Sequence, residues 1–274
     1  MREYLDLLSY VRDNGQWQPT GAVLASTGQP ARARSYFGLQ ARYDLGGGFP
    51  LVTTREISFT VVVRELLWFL SGSGNRLALE KHGIRIWSQW GHEDGDLGAA
   101  IYGRLWRGSR YGDQIATLEH RIRTVSAEPH SRLRRRLILL SWDPPYSTYS
   151  QAPVGCHTMA QFDVRDGRLS CHLYQRSGDL FLGVPYNIAS YALLTHLLAH
   201  VTGLQLGVLV HSFGDAHIYE NHLEQVNEQL CRPPRHRPQL KLTREVASVT
   251  EFLFEDILLS GYECHPKLTG EVAV

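Results

Sequence analysis

The sequence has few of the features that mark membrane, secreted or metal-binding proteins. Its uninterrupted apolar runs stay well short of the ~18 residues that a bilayer-spanning helix needs. Its four cysteines form no Cys-x-x-Cys pair, so neither a zinc site nor a disulfide framework is predicted. The charges of Arg2, Glu3 and Asp6 interrupt the first apolar pattern, as in an amphipathic helix and unlike a secretory signal. We therefore expect a reduced cytoplasmic protein without a metal and without a membrane partner.

An excess of charge of one sign is also absent. With 28 basic and 27 acidic side chains, the formal net charge is +1, which gives no general attraction to nucleic acid or to anionic membranes. Lysine is rare, and nearly all of the positive charge is carried by arginine, whose planar guanidinium suits phosphate oxygens. Recognition of an anionic ligand must therefore be local, and we expect that activity requires no nucleic acid.

Apolar patterning indicates a mixture of helices and strands. Short β runs are predicted at Leu137–Ser141, Thr158–Val164 and Leu169–Gln175, and Asp166-Gly167 is a strong signal for a hairpin turn between the last two. The segment 188–204 is apolar on nearly every face, so we expect a helix buried in a core or at a homodimer interface. Without repeats, linkers or a βαβ rhythm, residues 1–274 are predicted to form a single α+β domain with one large mixed sheet covered by helices.

Cys156 lies at a predicted junction between a loop and a strand, next to His157. Cysteine is among the most buried residue types, and the other three cysteines are interpreted as structural: Cys171, Cys231 and Cys264. A thiol becomes a useful nucleophile when a neighbouring cation lowers its pKa, and Arg176 on the adjacent hairpin strand is a candidate. These residues alone leave both a structural and a catalytic role open.

The stretch YQRSGDLFLGVPYNIASY concentrates polar groups of several kinds. It places the guanidinium of Arg176, the hydroxyl of Ser177, the carboxylate of Asp179 and the amide of Asn187 in one turn-rich segment. Each has an ordinary explanation by itself; Asn187, for example, is positioned to cap the apolar helix. Together they are the groups that a phosphorylated heterocycle would require.

Long motifs of the sequence resemble the thymidylate synthase family over nearly the whole chain. In order, they are FGLQARYDL, GFPLVTTR, ELLWFLSG, IWSQW, GDLGAAIYGRLWR, YQRSGDLFLGVPYNIASYALLTH, GDAHIYENH and HPKLTGEVAV. The resemblance implies a thymidylate synthase-like fold and a homodimer with shared active sites, with a sheet face at the dimer interface. It also implies transfer of a one-carbon unit from 5,10-methylene-tetrahydrofolate to C5 of a pyrimidine nucleoside monophosphate, with dUMP to dTMP as the leading reaction.

The resemblance further implies roles for individual residues. The catalytic residues would be Cys156, which adds to C6 of the pyrimidine, with Glu65, Tyr102, Asn187 and Arg176. The nucleotide would be bound by Arg135, Arg136, Arg176, Ser177, Asn187, Asp215, His217 and Tyr219, of which the first two would reach across the dimer interface. The folate would contact Trp87, Trp90, Asp179, Gly183, Tyr186 and Arg55.

Four departures from the family pattern keep other activities open. Ser26 stands where the phosphate loop normally has arginine, and Gly155 stands where proline normally precedes the cysteine. Arg55 and Ser58 replace a lysine and a histidine near the folate tail, and GAAIYG is one residue longer than usual. These changes cluster around the expected phosphate, nucleophile and folate sites.

Two alternatives follow from these departures. One is a pyrimidine nucleotide 5-hydroxymethylase acting on dUMP, UMP or CMP, and the other is a nucleotide-binding protein without catalytic activity. Asn187 favours uracil, because cytosine-specific relatives carry aspartate at that position, and Trp87 favours methylation, because it shields the intermediate from water. A Cys-His hydrolase is a further class, but it explains none of the long motifs.

Overall fold

The computed structural model describes residues 1–24, 26–108, 111–144 and 154–273. Its helices are α1 (Arg2–Asn14), α2 (Phe59–Leu70), α3 (Leu77–Glu80), α4 (Tyr102–Arg107), α5 (Gln114–Ala127), α6 (Val184–Thr202) and α7 (Leu223–Cys231). Its strands are β1 (Gln16–Val23), β2 (Pro30–Asp44), β3 (Ile138–Leu140), β4 (His157–Arg165), β5 (Arg168–Asp179), β6 (Gln205–Tyr219), β7 (Gln239–Leu242) and β8 (Ile257–Ser260).

The main sheet has six strands in the order β1-β2-β6-β5-β4-β3, and β7 pairs with β8 in a separate ribbon. Strands β5 and β6 run parallel, while the other neighbours in the main sheet are antiparallel. A parallel pair needs a long crossover connection, and here α6 supplies it. The expected α+β class with one large mixed sheet is confirmed. Strand β1 was not predicted, because nearly all of its side chains are exposed and no apolar alternation marks it.

The predicted hairpin of β4 and β5 is confirmed. Asp166 and Gly167 both have positive φ, at 49° and 69°, which is the conformation that a two-residue type I′ turn requires. The hairpin pairs His157 with Gln175, and the backbone N–H of Arg176 donates to the carbonyl of Cys156 at 2.9 Å. The turn sets the register as far as Met159 opposite Tyr174, and a one-residue shift between His157 and Met159 then brings Cys156 beside Arg176.

The apolar helix α6 lies in the core of the protomer. Most of its side chains are fully buried, and it packs against β5, β6 and α2, so burial within one chain explains its composition. The expectation that Asn187 caps this helix is wrong, because the helix begins at Val184 and Pro185 fits its first turn. None of the helices in the described residues is long and apolar enough to cross a membrane.

Candidate active site

The backbone around Cys156 is held from two sides. Its N–H donates to the hydroxyl oxygen of Tyr102 at 2.7 Å, and the N–H of His157 lies 3.3 Å from the same oxygen. On the other side, Arg176 donates from Nε to the carbonyl of Gly155 at 3.1 Å and from Nη2 to the carbonyl of Val154 at 2.7 Å. The turn before β4 is therefore clamped between α4 and β5.

Two opposing effects act on the pKa of the Cys156 thiol. Burial raises it, and the neighbouring Arg176 guanidinium lowers it by less, so the net pKa is above the ordinary value. His157 contributes no charge, because burial lowers the pKa of its imidazole to about 4. Its ring stacks on Tyr102 with 4.8 Å between centroids and meets Tyr191 edge-on at 5.3 Å. A neutral, packed imidazole cannot form the thiolate–imidazolium pair of a Cys-His hydrolase.

Gly155 is required by close packing. A Cβ at this position would lie 2.7 Å from the carbonyl oxygen of Ser141 and 3.3 Å from Cε1 of Tyr102. Gly155 does not adopt a positive φ. The position therefore requires the absence of a side chain and not an unusual backbone conformation. The departure from the family's proline is therefore tied to how tightly the loop packs on Ser141 and Tyr102.

Replacing Gly155 with alanine is expected to destabilise the protein by roughly 1–3 kcal/mol, the usual cost of overpacking, and to displace the Cys156 turn. Urea unfolding and the rate of Cys156 alkylation measure the two effects. Gly46→Ala is the matched control, because its Cβ would meet nothing closer than 3.4 Å and its φ is not positive. Equal stability of the two variants would show that the Ser141 carbonyl moves aside freely.

Glu65 is a buried carboxyl on the apolar helix α2. It is 9% exposed, and Nε1 of Trp87 donates to its Oε1 at 2.8 Å. Burial raises the pKa of Glu65 to about 7, against a smaller lowering by the Trp87 hydrogen bond. Near neutral pH this carboxyl therefore exists in both protonation states.

An aromatic cluster connects Glu65 with the cysteine turn. The ring of Trp87 lies 6.4 Å from that of Tyr102 and 5.9 Å from that of Trp90, and Phe69 contacts Tyr102 at 4.9 Å. Burial raises the pKa of Tyr102, and the charges of Cys156 and Glu65 add to this shift. Tyr102 thus stays protonated, and it lies within electrostatic reach of both groups.

The carboxyl end of β5 and the neighbouring end of β6 bring further polar side chains together. Ser177 pairs with Asp215 and Asp179 with His217 in the parallel register. Nδ1 of His217 lies 3.0 Å from Oδ1 of Asp215, and Tyr219 meets the His217 ring edge-on at 5.2 Å. These contacts form a polar surface beside the Cys156 turn.

Two residues of the site were missed by the sequence analysis. Gln175 on β5 is 3% exposed, and its amide donates to Oδ1 of Asn187 at 3.0 Å and to the carbonyl of Ser177 at 2.9 Å. Its Oε1 lies 2.9 Å from Nε2 of the fully buried His211 on β6. The available signal was a polar residue at an inward position of each strand, since a buried amide or imidazole needs partners.

The family model described as thymidylate synthase matches residues 2–274. The chain belongs to the thymidylate synthase family. This family carries out folate-dependent transfer of a methyl or hydroxymethyl group to C5 of a pyrimidine nucleotide, with methylene-tetrahydrofolate as co-substrate. Among the described residues there is no group of three His, Cys, Asp or Glu side chains that could hold a metal ion.

Ser26, which the resemblance places at the position of the phosphate-loop arginine, is tied to the C-terminal segment. The N–H and Oγ of Ser26 donate to the two carboxylate oxygens of Glu271 at 2.6 and 2.7 Å. The carbonyl of Glu271 in turn accepts hydrogen bonds from Asn221 and His222, just after β6. A carboxylate therefore lies beside Ser26, where the resemblance leads us to expect a cation.

The remaining predicted site residues fall into two groups. Asp179, Gly183 and Tyr186 lie at the start of α6, where the Asp179 carboxylate accepts from the N–H groups of Phe181 and Leu182, and Trp90 packs against Trp87. Arg55 lies next to the Asp179–Gly183 segment, whereas Arg135 and Arg136 lie before β3. Arg55 is 3% exposed and turned onto the carbonyl and ring of Phe181, while two exposed arginines lie in the turn before β3: Arg135 and Arg136.

Proposed function

We propose that this member of the thymidylate synthase family converts dUMP to dTMP with 5,10-methylene-tetrahydrofolate. The observation that carries the proposal is the clamped Cys156 turn. Arg176 holds one side of this turn and Tyr102 holds the other. The aromatic cluster around Tyr102 also contacts Glu65, a carboxyl that titrates near pH 7. A cysteine held in place between a cation and a proton-transfer group is suited to covalent catalysis.

In the first proposed step, the sulfur of Cys156 bonds to C6 and the thiol proton leaves to solvent. The electrons of the C5–C6 double bond move to C5 and O4, so C5 becomes the nucleophile that attacks the one-carbon unit. The Arg176 guanidinium favours the thiolate, although burial keeps the thiol protonated in the ligand-free protein. We infer that Cys156 loses its proton only when the nucleotide is in place.

Glu65 and Tyr102 are the proposed proton-transfer groups. A carboxyl with a pKa of about 7 both releases and accepts a proton at neutral pH, which is what a relay to O4 and N3 of the base requires. Tyr102 is protonated and fixed on the N–H groups of Cys156 and His157, and we propose that it assists removal of the C5 proton. Loss of the C5 proton and cleavage of the bond to the tetrahydrofolate nitrogen leave a methylene group on C5. That group takes a hydride from the tetrahydrofolate, which becomes dihydrofolate, and the Cys156–C6 bond breaks to release the thiolate and the methylated nucleotide.

The nucleotide is proposed to lie along the ends of β5 and β6. Asn187 would hydrogen-bond N3–H and O4 of uracil, and His217 with Tyr219 would bind the sugar hydroxyl. Ser177 and Asp215 would add hydrogen bonds near the phosphate and the base. Because Ser26 supplies no charge, the phosphate would depend on Arg176 and on two arginines across a dimer interface: Arg135 and Arg136.

The folate is proposed to pack on the tryptophan cluster. Trp87 and Trp90 offer aromatic faces beside Glu65, and the carboxylate of Asp179 lies at the start of α6, near Gly183 and Tyr186. Trp87 covers the centre where a reactive methylene intermediate would form, which favours methylation over capture of water. Arg55 was assigned to the folate tail, and its inward position would require it to turn outward on binding.

We propose a homodimer that uses the uncovered face of the main sheet. Gln40, Ser212 and Tyr174 are cross-strand neighbours on this face, and Tyr174 is 39% exposed. The opposite face is buried under α6. A second copy on the uncovered face would shield these strands and bring an arginine pair to each site.

The reaction can be tested with dUMP, UMP and CMP, each tritiated at C5, together with methylene-tetrahydrofolate. We expect tritium release from dUMP, with dTMP and dihydrofolate as products identified by mass. A hydroxymethyl product with unoxidised tetrahydrofolate would show that the reaction is hydroxymethylation and not methylation. Release from none of the three nucleotides would contradict an active enzyme, and release from CMP alone would contradict the assignment of Asn187 to uracil.

A further inference from the structure

An arginine and a glutamate at the two ends of α3 hold the turn that carries the site tryptophans. Arg76 donates from Nε to the carbonyl of Trp90 at 3.1 Å and from Nη2 to the carbonyl of His92 at 3.3 Å. Its Nη1 pairs with Oε1 of Glu80, and the Oγ of Ser88 donates to the same oxygen at 2.6 Å. The three side chains Arg76, Glu80 and Ser88, which form the α3 brace, therefore tie this turn to one short helix at three positions.

The α3 brace is built from charged groups that are largely covered. The side chain of Arg76 is 15% exposed and that of Glu80 is 25% exposed, and covered charges of this kind need their partners in place. Hydrogen bonds from Ser88 and Arg76 lower the pKa of Glu80, so it is a carboxylate at neutral pH. Charge-assisted hydrogen bonds are stronger than those between neutral groups. The brace therefore holds the turn more firmly than neutral loop contacts would.

Trp87 lies on the braced turn and reaches the centre of the site. The N–H of Trp90 donates to the carbonyl of Trp87 at 3.2 Å, so a contact that fixes Trp90 also limits the backbone of Trp87. The indole Nε1 of Trp87 donates to Oε1 of Glu65 at 2.8 Å, and its ring lies 5.9 Å from Trp90 and 6.4 Å from Tyr102. The brace outside the turn therefore determines how closely the Trp87 ring covers Glu65 and Tyr102.

We propose that Arg76 is a positioning residue that keeps water away from the reaction centre by holding Trp87 in place. This inference rests on the proposed function, in which a methylene group on C5 is the intermediate. Hydride transfer to that group gives the methyl product and dihydrofolate. Enclosed sites protect reactive intermediates from hydrolysis, and here the covering ring is held by a side chain that touches neither substrate nor folate.

Water that reaches the methylene carbon gives a different product. Its oxygen bonds to that carbon, one of its protons leaves to solvent, and the electrons of the methylene double bond move through C5 to O4. These electrons then return to form the C5–C6 double bond and expel the Cys156 thiolate from C6. The products are a hydroxymethyl nucleotide and unoxidised tetrahydrofolate, so the ratio of hydroxymethyl to methyl product reports how well Trp87 covers the intermediate.

The test measures this ratio by mass after incubation with dUMP and methylene-tetrahydrofolate in water labelled with heavy oxygen. A hydroxymethyl product formed by capture of water carries the label. Arg76→Leu removes all three contacts of the guanidinium, and we expect the ratio to rise roughly 10-fold, the effect of one lost hydrogen bond to a charged group. Arg76→Lys keeps the charge beside Glu80 but loses the planar fork that reaches two carbonyls, so a smaller rise is expected.

Arg232→Leu is the matched control. Arg232 is also 15% exposed, pairs with a glutamate four residues away, Glu228, and donates to the carbonyls of Thr54 and Pro266. Its loss should lower stability in urea about as much as the loss of Arg76, because the two arginines have the same kinds of partner. The product ratio should stay unchanged, since Arg232 does not contact the tryptophan turn.

Glu80→Gln provides a second variant that keeps the shape of the brace and removes the charge that orients Arg76. We expect the ratio to rise, by less than in Arg76→Leu. An unchanged ratio in both brace variants, or an equal rise in Arg232→Leu, would overturn the positioning role and leave the proposed reaction intact. An unsubstituted protein that forms no product, or only the hydroxymethyl product, would instead overturn the proposed function and this inference with it.

Discussion

Replacing Cys156 with serine is expected to lower turnover by on the order of 10³-fold or more while dUMP still binds. A serine hydroxyl ionises far less readily than a thiol, and even for the cysteine Arg176 lowers the pKa by less than burial raises it. The size and shape of the side chain are nearly kept, so the hydrogen bonds of Tyr102 and Arg176 to the turn should remain. Tritium release measures the loss of turnover, and isothermal titration measures the retained binding.

The control is Cys231→Ser, which changes an exposed cysteine at the end of α7 and should leave turnover unchanged. Intact mass of the denatured protein after incubation with dUMP and the folate should detect an adduct in the unsubstituted chain and in Cys231→Ser. Retained turnover in Cys156→Ser would place the nucleophile elsewhere.

Replacing Glu65 with glutamine is expected to lower turnover by roughly 10²- to 10⁴-fold, the usual contribution of a proton-transfer group. Glutamine preserves the shape of the side chain and can still accept the Trp87 hydrogen bond, so the aromatic cluster should be kept. The variant separates proton transfer from packing, because only the ability to titrate is lost. Exposed Glu56 provides the matched control, and Glu56→Gln should retain turnover.

The same substitution should change how stability depends on pH. The pKa of Glu65 is about 7 in the folded protein against an ordinary value of 4.5, so the folded state binds the proton more tightly than the unfolded chain. Stability from this group is therefore complete below pH 4.5 and is lost as pH rises through 7, by roughly 3 kcal/mol in total.

Urea unfolding at pH 5 and pH 8.5 tests this dependence. The Gln variant lacks the ionisable group, so it should lose less stability between the two values than the unsubstituted protein. Identical pH dependence in the two proteins would mean that Glu65 is solvated more than its buried position implies. That result would also remove the basis for a relay that operates near neutral pH.

Local signals predicted the elements that carry the site. The β4–β5 hairpin followed from Asp166-Gly167, because a tight turn depends on a few adjacent residues. The burial of α6 followed from its composition, but its start was placed too late, and Asn187 proved to lie inside the first turn instead of capping it. Strand β1 gave no signal, because an exposed edge strand needs no apolar alternation.

The relations between distant side chains could not be predicted in the same way. Gln175 and His211 look like ordinary strand residues, and only the parallel register of β5 and β6 places them in one row with Asn187. The sequence marks Gly155 only as a replacement for the family's proline, and its packing on Ser141 shows that the position has no space for a side chain. The resemblance assigned Arg55 to the folate, and its guanidinium is buried on Phe181.

The sequence by itself determined the family, the α+β class and the position of Cys156 beside the hairpin, because long ordered motifs and local turn chemistry are written in consecutive residues. Only the tertiary structure decided that Glu65 titrates near pH 7, that His157 is neutral and that Ser26 donates hydrogen bonds to the Glu271 carboxylate. These properties depend on desolvation and on hydrogen-bond partners, which come from residues far apart in the chain.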